Sequence, residues 1–269
     1  MQSMENTDMT PHRIVSREEW LVERKALLAK EKEFTRTRDR LGAERRALPW
    51  IKIEKPYEFE GPGGRKTLAD LFGGKSQLIV KHFMLGPGWS EGCVGCSFEM
   101  DHVDGILVHL GARDISYVAV SRAPWPEIQA FRKRMGWQIK WVSSYGNDFN
   151  YDFHVSFTPD EMQRGEGYYN YETRPIPIEE LSGRSVFYKD ESGDIFHTYS
   201  SFGRGGEDVL GTYRLLDLVP KGRDETGPRG NLSDWVRHHD RYGAAGTVAS
   251  TGRWQPEAAT PCCEPAEPR

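Results

Sequence analysis

A chain of 269 residues is long enough to bury a sizeable core, as one large domain or two small ones. Its formal net charge of −4 gives no general basic surface for nucleic acid, and its apolar runs fall well short of the roughly 20 residues that span a membrane. We therefore expect a soluble protein with neither nucleic acid nor membrane as its partner. The first residues lack the charged and apolar regions of an export signal, so a reducing cytoplasmic location is expected.

The N-terminal part of the chain predicts a flexible lead over residues 1–15 and a helical extension over 16–48. Ser16 and Glu19 have the spacing of a capping box, which marks a helix start. Large apolar residues then recur at seven-residue intervals in an otherwise charged segment: Trp20, Leu27, Phe34, Leu41 and Leu48. Because burial of such a stripe stabilises a charged helix, we expect it to pack on the rest of the chain or on a second copy, as a homodimer.

Residues 49–242 predict an α/β domain. Pro49 ends the helical segment, and the apolar run 77–85 is typical of a buried central strand. Further along the chain the pattern predicts a helix, a strand, a helix and a strand at 97–110, 115–120, 127–135 and 139–142. Strands that alternate with helices indicate a sheet with crossover helices.

The second half of the domain is less regular. Residues 144–180 are polar and aromatic without a sustained period, which suggests an inserted lid or surface loop. Residues 185–199 predict a β-hairpin, 213–219 a last strand or docking helix, and 233–242 a closing helix. The composition from 243 to 269 predicts a disordered tail, which contains Cys262 and Cys263 without indicating a role for them.

Two cysteines separated by two small residues, Cys93 and Cys96, are the strongest candidate site. They follow the predicted central strand and begin the next helix, an arrangement typical of redox proteins. As i,i+3 neighbours their Cβ atoms lie roughly 5–6 Å apart, close enough for a reversible disulfide. Cys93, at the exposed helix terminus, is the predicted nucleophile, and Cys96 the resolving thiol. Half of a zinc site, or two inert buried cysteines, is the alternative, although no second pair stands at matching spacing.

Taken together, these elements resemble the thioredoxin superfamily, with a central sheet, flanking helices, and a C-terminal β-hairpin plus helix. More closely, the chain resembles a bacterial family of unknown function, the domain of unknown function eight-nine-nine, whose members are often described as predicted dithiol-disulfide oxidoreductases. The resemblance covers about residues 15–225. It is carried by the runs 31–39, 45–50, 82–84, 92–97, 121–124, 134–137, 148–153 and 197–200.

This resemblance and the paired thiols imply thiol-disulfide exchange between Cys93, Cys96, a protein or small-molecule disulfide, and an unidentified reductant, with no cofactor. Two alternatives remain open, a thiol peroxidase of peroxiredoxin type and a redox-inert thioredoxin-fold binding protein. Ser90 suggests the peroxidase, because its offset from Cys93 matches that of a peroxiredoxin loop. Three further candidates for supporting roles are His82 beside the thiols, Trp89 at the substrate, and Arg122 at the end of the second strand.

Overall fold

A computed structural model describes residues 12–257. Cys262 and Cys263 and most of the predicted N-terminal lead lie outside the described residues. The strands are β1 (Ile51–Lys52), β2 (Glu58–Gly61), β3 (Gly64–Thr67), β4 (Gln77–His82), β5 (Ile115–Ser121), β6 (Lys140–Ser143), β7 (Glu166–Tyr169), β8 (Glu172–Pro175), β9 (Gly183–Lys189), β10 (Ile195–Phe202), β11 (Gly246–Val248) and β12 (Trp254–Pro256). The α-helices are α1 (Arg17–Arg46), α2 (Leu68–Leu71), α3 (Val94–Asp104), α4 (Leu107–Ala112), α5 (Trp125–Met135), α6 (Phe149–Asp152), α7 (Pro159–Arg164) and α8 (Gly211–Leu216).

One eight-stranded sheet organises the domain, in the order β1-β10-β9-β4-β5-β6-β2-β3. Its centre is parallel, β4 with β5 and β5 with β6, whereas β9 runs antiparallel to both β4 and β10. The segment between β4 and β5 crosses over through α3 and α4, and the β9–β10 hairpin completes the other side. The expected α/β class and thioredoxin-like arrangement are therefore confirmed.

Alternation along β4 assigns its side chains to two different cores. Leu78 and Val80 join one cluster, and His82 stacks on Phe153 on that same face. Ile79 and Phe83 belong to the other cluster, which contains both cysteines of the predicted site. Successive strand residues point to opposite faces, so Lys81 shares the cysteine face and His82 does not.

Helix α1 is one continuous helix of 30 residues with no buried residue. It begins at the predicted capping box, in which Ser16 and Glu19 satisfy each other's backbone groups. The predicted apolar stripe does not pack on the α/β domain of its own chain. Polar contacts with that domain come from Arg45 in the last turn, which lies 3.7 Å from Asp208 and over the Tyr199 ring.

The aromatic segment at 144–180 has a small core of its own. Val155, Phe157, Tyr169 and Ile176 are buried together with Phe202 of β10, beside the β7–β8 hairpin. These aromatic residues therefore supply packing in addition to surface.

The C-terminal part of the domain differs from the sequence expectations. The predicted closing helix at 233–242 reduces to a short 3₁₀ turn, Leu232–Asp234, followed by turns. Val236 and His238 are held there by long-range contacts instead of a helical repeat, and His238 Nε2 lies 2.9 Å from the Gly92 carbonyl oxygen. Where composition predicted disorder, β11 and β12 form a hairpin whose Trp254 packs in the same cluster as Val236.

Candidate functional site

Cys93 is the N-cap of α3 and Cys96 lies in its first turn, directly after the loop that leaves β4. The Cys93 N–H donates to the Met84 carbonyl oxygen at 3.0 Å, which anchors the helix start to the end of the strand. The residue before Cys93 must be small, because a Cβ on Gly92 would overlap the Phe83 ring. The local sequence thus fixes both thiols against the cysteine face of the sheet.

The two thiols are both buried, so the predicted difference in their exposure is absent. Cys93 is 7% exposed and Cys96 is 3% exposed. The hydrogen bond between the thiols, together with burial, raises the pKa of Cys93 well above its ordinary value. Burial also opposes ionisation of Cys96, but the hydrogen bond from Cys93 and the charge of Lys81 lower the pKa of Cys96 to about 6. The negative charge of the pair is therefore favoured on Cys96, and not on Cys93 as the helix-terminus argument predicted.

A buried polar cluster lies behind Cys96. Lys81 Nζ donates to Glu99 Oε2 and to Ser182 Oγ, each at 2.6 Å. Arg184 donates to the other oxygen of the same carboxylate, and both carboxylate partners are largely buried. Although burial opposes it, the two cations lower the pKa of Glu99. Lys81 and Ser182 both act to lower the pKa of Cys96, and Ser182 lines the same cavity as Cys96, so the cluster is coupled to the thiol pair.

A cavity of about 510 Å³ opens onto the site. Its wall includes both cysteines, Glu99 and Ser182, and residues of α8 and of the turns near 230. The thiols are thus reached through a pocket and not from a flat surface.

The C-terminal hairpin covers Cys93. Val94 N–H donates to the Gly252 carbonyl oxygen at 2.9 Å, and a Cβ on Gly252 would lie 2.8 Å from Cys93 Sγ. Arg253 lies over the Trp89 ring at 4.6 Å. Access to Cys93 therefore depends on residues beyond the region that the sequence identified as the domain.

Three of the residues predicted to support the thiols differ in where the structure places them. Trp89 is buried in the cluster that contains the cysteines and donates from Nε1 to Glu179 Oε1 at 2.8 Å. Ser90 is exposed on the loop and does not line the cavity. Arg122 pairs with the buried carboxylate of Glu180.

His82 lies on the opposite face of the sheet from the thiols. Its Nε2 is 2.8 Å from Ser185 Oγ, and its ring stacks on Phe153. Burial, with a smaller contribution from the charge of Lys81, lowers the pKa of His82 to about 3. A neutral, packed imidazole on that face does not reach the cysteines.

Sequence reasoning missed Lys81, Glu99, Ser182 and Arg184. The available signal was a lysine inside an otherwise apolar buried run, since a buried lysine needs a partner. Glu99 stands three residues after Cys96, on the same side of the helix.

No group of three or more His, Cys, Asp or Glu residues within 12–257 is arranged to hold a metal ion. Over the same residues, no helix combines the length and apolar character needed to cross a membrane.

Comparison with known proteins identifies a family but not a reaction. A family model described as "Bacterial protein of unknown function (DUF899)" matches residues 9–242. No curated protein matches the chain.

Among solved structures, a PrxQ mutant from Xylella fastidiosa has 14% identity and a TM-score of 0.38, over 62% of this chain and 94% of that one. A putative protein disulfide isomerase from Bacteroides thetaiotaomicron has 16% identity and a TM-score of 0.37, over 66% and 96%. The peroxidoxin BcpB from Mycobacterium tuberculosis has 14% identity and a TM-score of 0.35, over 62% and 97%. The names of these proteins describe their own activities and assign none to this chain.

Proposed function

Because the chain belongs to a bacterial family of unknown function, DUF899, we propose a function from the geometry of its site: reversible dithiol–disulfide exchange at Cys93 and Cys96. The observation that carries the proposal is the pair itself. Two thiols lie at the start of α3 and border one cavity, and the charge of the buried Lys81 favours the thiolate of Cys96.

The exchange proceeds in two steps. The Cys96 thiolate attacks one sulfur of a substrate disulfide, and the released thiolate takes up a proton. Cys93 then gives up its proton, and its sulfur attacks Cys96 in the mixed disulfide, which releases the second substrate thiol. Two electrons pass from the pair to the substrate, and the pair ends as a disulfide. A dithiol reductant returns the two electrons and two protons.

Lys81 has the role of stabilising the attacking thiolate. Lys81 and Arg184 bring two positive charges to the single carboxylate of Glu99, so one positive charge in the cluster lacks an anionic partner among these three. Burying an uncompensated charge is unfavourable, and a thiolate on Cys96 would supply the missing negative charge. Lys81 also donates to Ser182, which lines the same cavity as Cys96. This charge balance supports Cys96 as the resting thiolate.

The partners in this proposal are a disulfide, on a protein or a small molecule, and an unidentified thiol reductant. Exchange of this kind fits the reducing cytoplasm, where paired cysteines are more often catalytic than structural. Self-association through α1 also belongs to the proposal, since the helix leaves its stripe exposed.

Single cysteine variants test the mechanism in a background that carries Cys262→Ser and Cys263→Ser. With oxidised glutathione, Cys93→Ser should trap a mixed disulfide on Cys96, because attack is retained and resolution is lost. Cys96→Ser should react slowly. Mass spectrometry of the intact proteins separates these outcomes.

The same experiment distinguishes the alternatives. If neither variant nor the parent forms any disulfide, the redox-inert binding protein is favoured. If the parent ignores glutathione but consumes peroxide, with sulfenic acid on a cysteine of the pair, thiol peroxidase chemistry replaces disulfide exchange.

A further inference from the structure

An exposed apolar face runs along α1 and into the bend that follows it, and the redox site does not use it. Its stripe and the residues beside it are each between 37% and 58% exposed: Trp20, Leu21, Leu27, Leu28, Phe34, Leu41 and Leu48. A helix of 30 residues is about 45 Å long. A charged helix of this kind owes its stability mainly to burial of its apolar face, so the face requires a partner.

We propose that this face binds a second copy of the chain, with the two α1 helices antiparallel about a two-fold axis at Phe34. This inference rests on the self-association proposed above and makes it specific, and it does not depend on the redox chemistry.

The spacing of the stripe is symmetric about Phe34. In an antiparallel pair centred there, Phe34 meets its own copy on the axis. Leu27 of one chain then lies opposite Leu41 of the other. Trp20 lies opposite Leu48. A two-fold interface uses the same patch twice, so a self-complementary stripe is what it requires.

A groove at the base of α1 gives Trp20 a place to dock. The groove has a volume of about 670 Å³, and its wall includes Leu48, Ile51, Tyr171 and Tyr199. Because Leu48 belongs both to the stripe and to this wall, the groove continues the surface of the helix. An antiparallel partner therefore brings its Trp20 to the mouth of the groove, whereas a parallel partner brings it to the free end of the other helix.

The charges beside the stripe favour the antiparallel pairing at its ends. In this register Glu23 faces Arg45 of the other chain, and Arg24 faces Glu44. Nearer the centre Lys30 faces an arginine, which opposes pairing at that position. In a parallel pair every one of these charges would face its own copy, and like charges repel.

The stripe supplies a large part of the area that a specific dimer buries. A large apolar side chain exposes on the order of 150 Å² when uncovered. At about half exposure, the five residues of the stripe itself therefore offer roughly 375 Å² per chain and about 750 Å² for two, before Leu21, Leu28 and the groove contribute. Specific interfaces begin at about 1,200 Å² in total, so the proposed dimer also needs the docking of each Trp20 in the groove of the partner.

The first test is the oligomeric state of the full chain by sedimentation velocity across a concentration series. The parent should be a dimer. Phe34→Asp should weaken dimerisation by on the order of a hundredfold or more, because two central anchors are lost together. Val22→Asp is the matched control, since Val22 is 70% exposed on the opposite side of the same helix and should leave the dimer intact. A monomeric parent, or equal effects of the two substitutions, would overturn the proposal.

The second test is the direction of the pairing, by disulfide trapping in the Cys262→Ser, Cys263→Ser background. A mixture of Leu27→Cys and Leu41→Cys chains should form mixed disulfides, and neither variant alone should cross-link efficiently. If each variant cross-links with itself and not with the other, the helices are parallel and the proposed arrangement is wrong.

Discussion

Replacement of Lys81 by methionine tests the electrostatic link between the buried cluster and the thiols. The charge of Lys81 lowers the pKa of Cys96, as a cation within roughly 5–6 Å of a thiol does. At an effective dielectric constant near 20, a unit charge at that distance contributes about 3 kcal/mol. This corresponds to about two pKa units, so Lys81→Met should raise the pKa of Cys96 from about 6 to about 8.

The assay is the rate of alkylation of Cys96 as a function of pH, with peptide mapping to identify the modified residue. Lys81→Arg keeps the charge and should preserve most of the parent profile. Lys140→Met, which removes an exposed lysine from β6, two strands away from β4, is the matched control and should change nothing. A profile for Lys81→Met that coincides with the parent's would refute the reasoning, as would first reaction at Cys93.

His82 makes the protein less stable as acid is added. The folded-state pKa of about 3 lies below the ordinary 6.5, so the unfolded chain binds more protons between these values and stability falls as the pH drops from about 6.5 toward 3. The measurement is the midpoint of urea unfolding as a function of pH. His82→Phe should make this midpoint fall less steeply between pH 6.5 and 3. An unchanged dependence on pH would show that the imidazole is not held neutral. Gly252→Ala should loosen the cover over Cys93 and speed its alkylation, because the new Cβ meets the sulfur. Gly243→Ala is the control, because it also places a side chain at positive φ but the new Cβ meets no atom within 4 Å. Equal alkylation rates of Cys93 in the two variants would contradict the covering role of the hairpin.

The order of the central elements could be predicted because the signals are local. The apolar run before the cysteines became β4, and the segments predicted at 115–120 and 127–135 became β5 and α5. The predicted hairpin at 185–199 became β9 and β10. Each of these segments has its own apolar periodicity, so its secondary structure can be predicted without information about which segments pack against it.

The site was only partly predictable. Residue spacing identified Cys93 and Cys96, but the choice of His82 as their helper rested on chemistry alone. Strand alternation would have placed Lys81, one residue earlier, on the same face as the following phenylalanine and the thiols. Which face α3 covers is a tertiary fact, and the partners Ser182 and Arg184 are distant in the chain.

The C-terminal region could not be predicted from composition. Glycine, alanine and proline are abundant after residue 243, which is typical of disorder. Val248 and Trp254 nevertheless pack against Val94 and Phe98 of α3. Two well-placed apolar side chains that meet an existing core are enough to order a short hairpin, and a composition average does not detect them.

The central claim is that Cys93 and Cys96 form one reversible two-electron couple. The most direct measurement is a titration of the full chain, carrying Cys262→Ser and Cys263→Ser, against mixtures of reduced and oxidised dithiothreitol, with the thiol state read by alkylation and mass spectrometry. We expect a single two-electron transition, fully reversible, with a disulfide that joins Cys93 to Cys96. Persistence of both free thiols under every oxidising ratio, or separate one-thiol adducts in place of the internal disulfide, would contradict it.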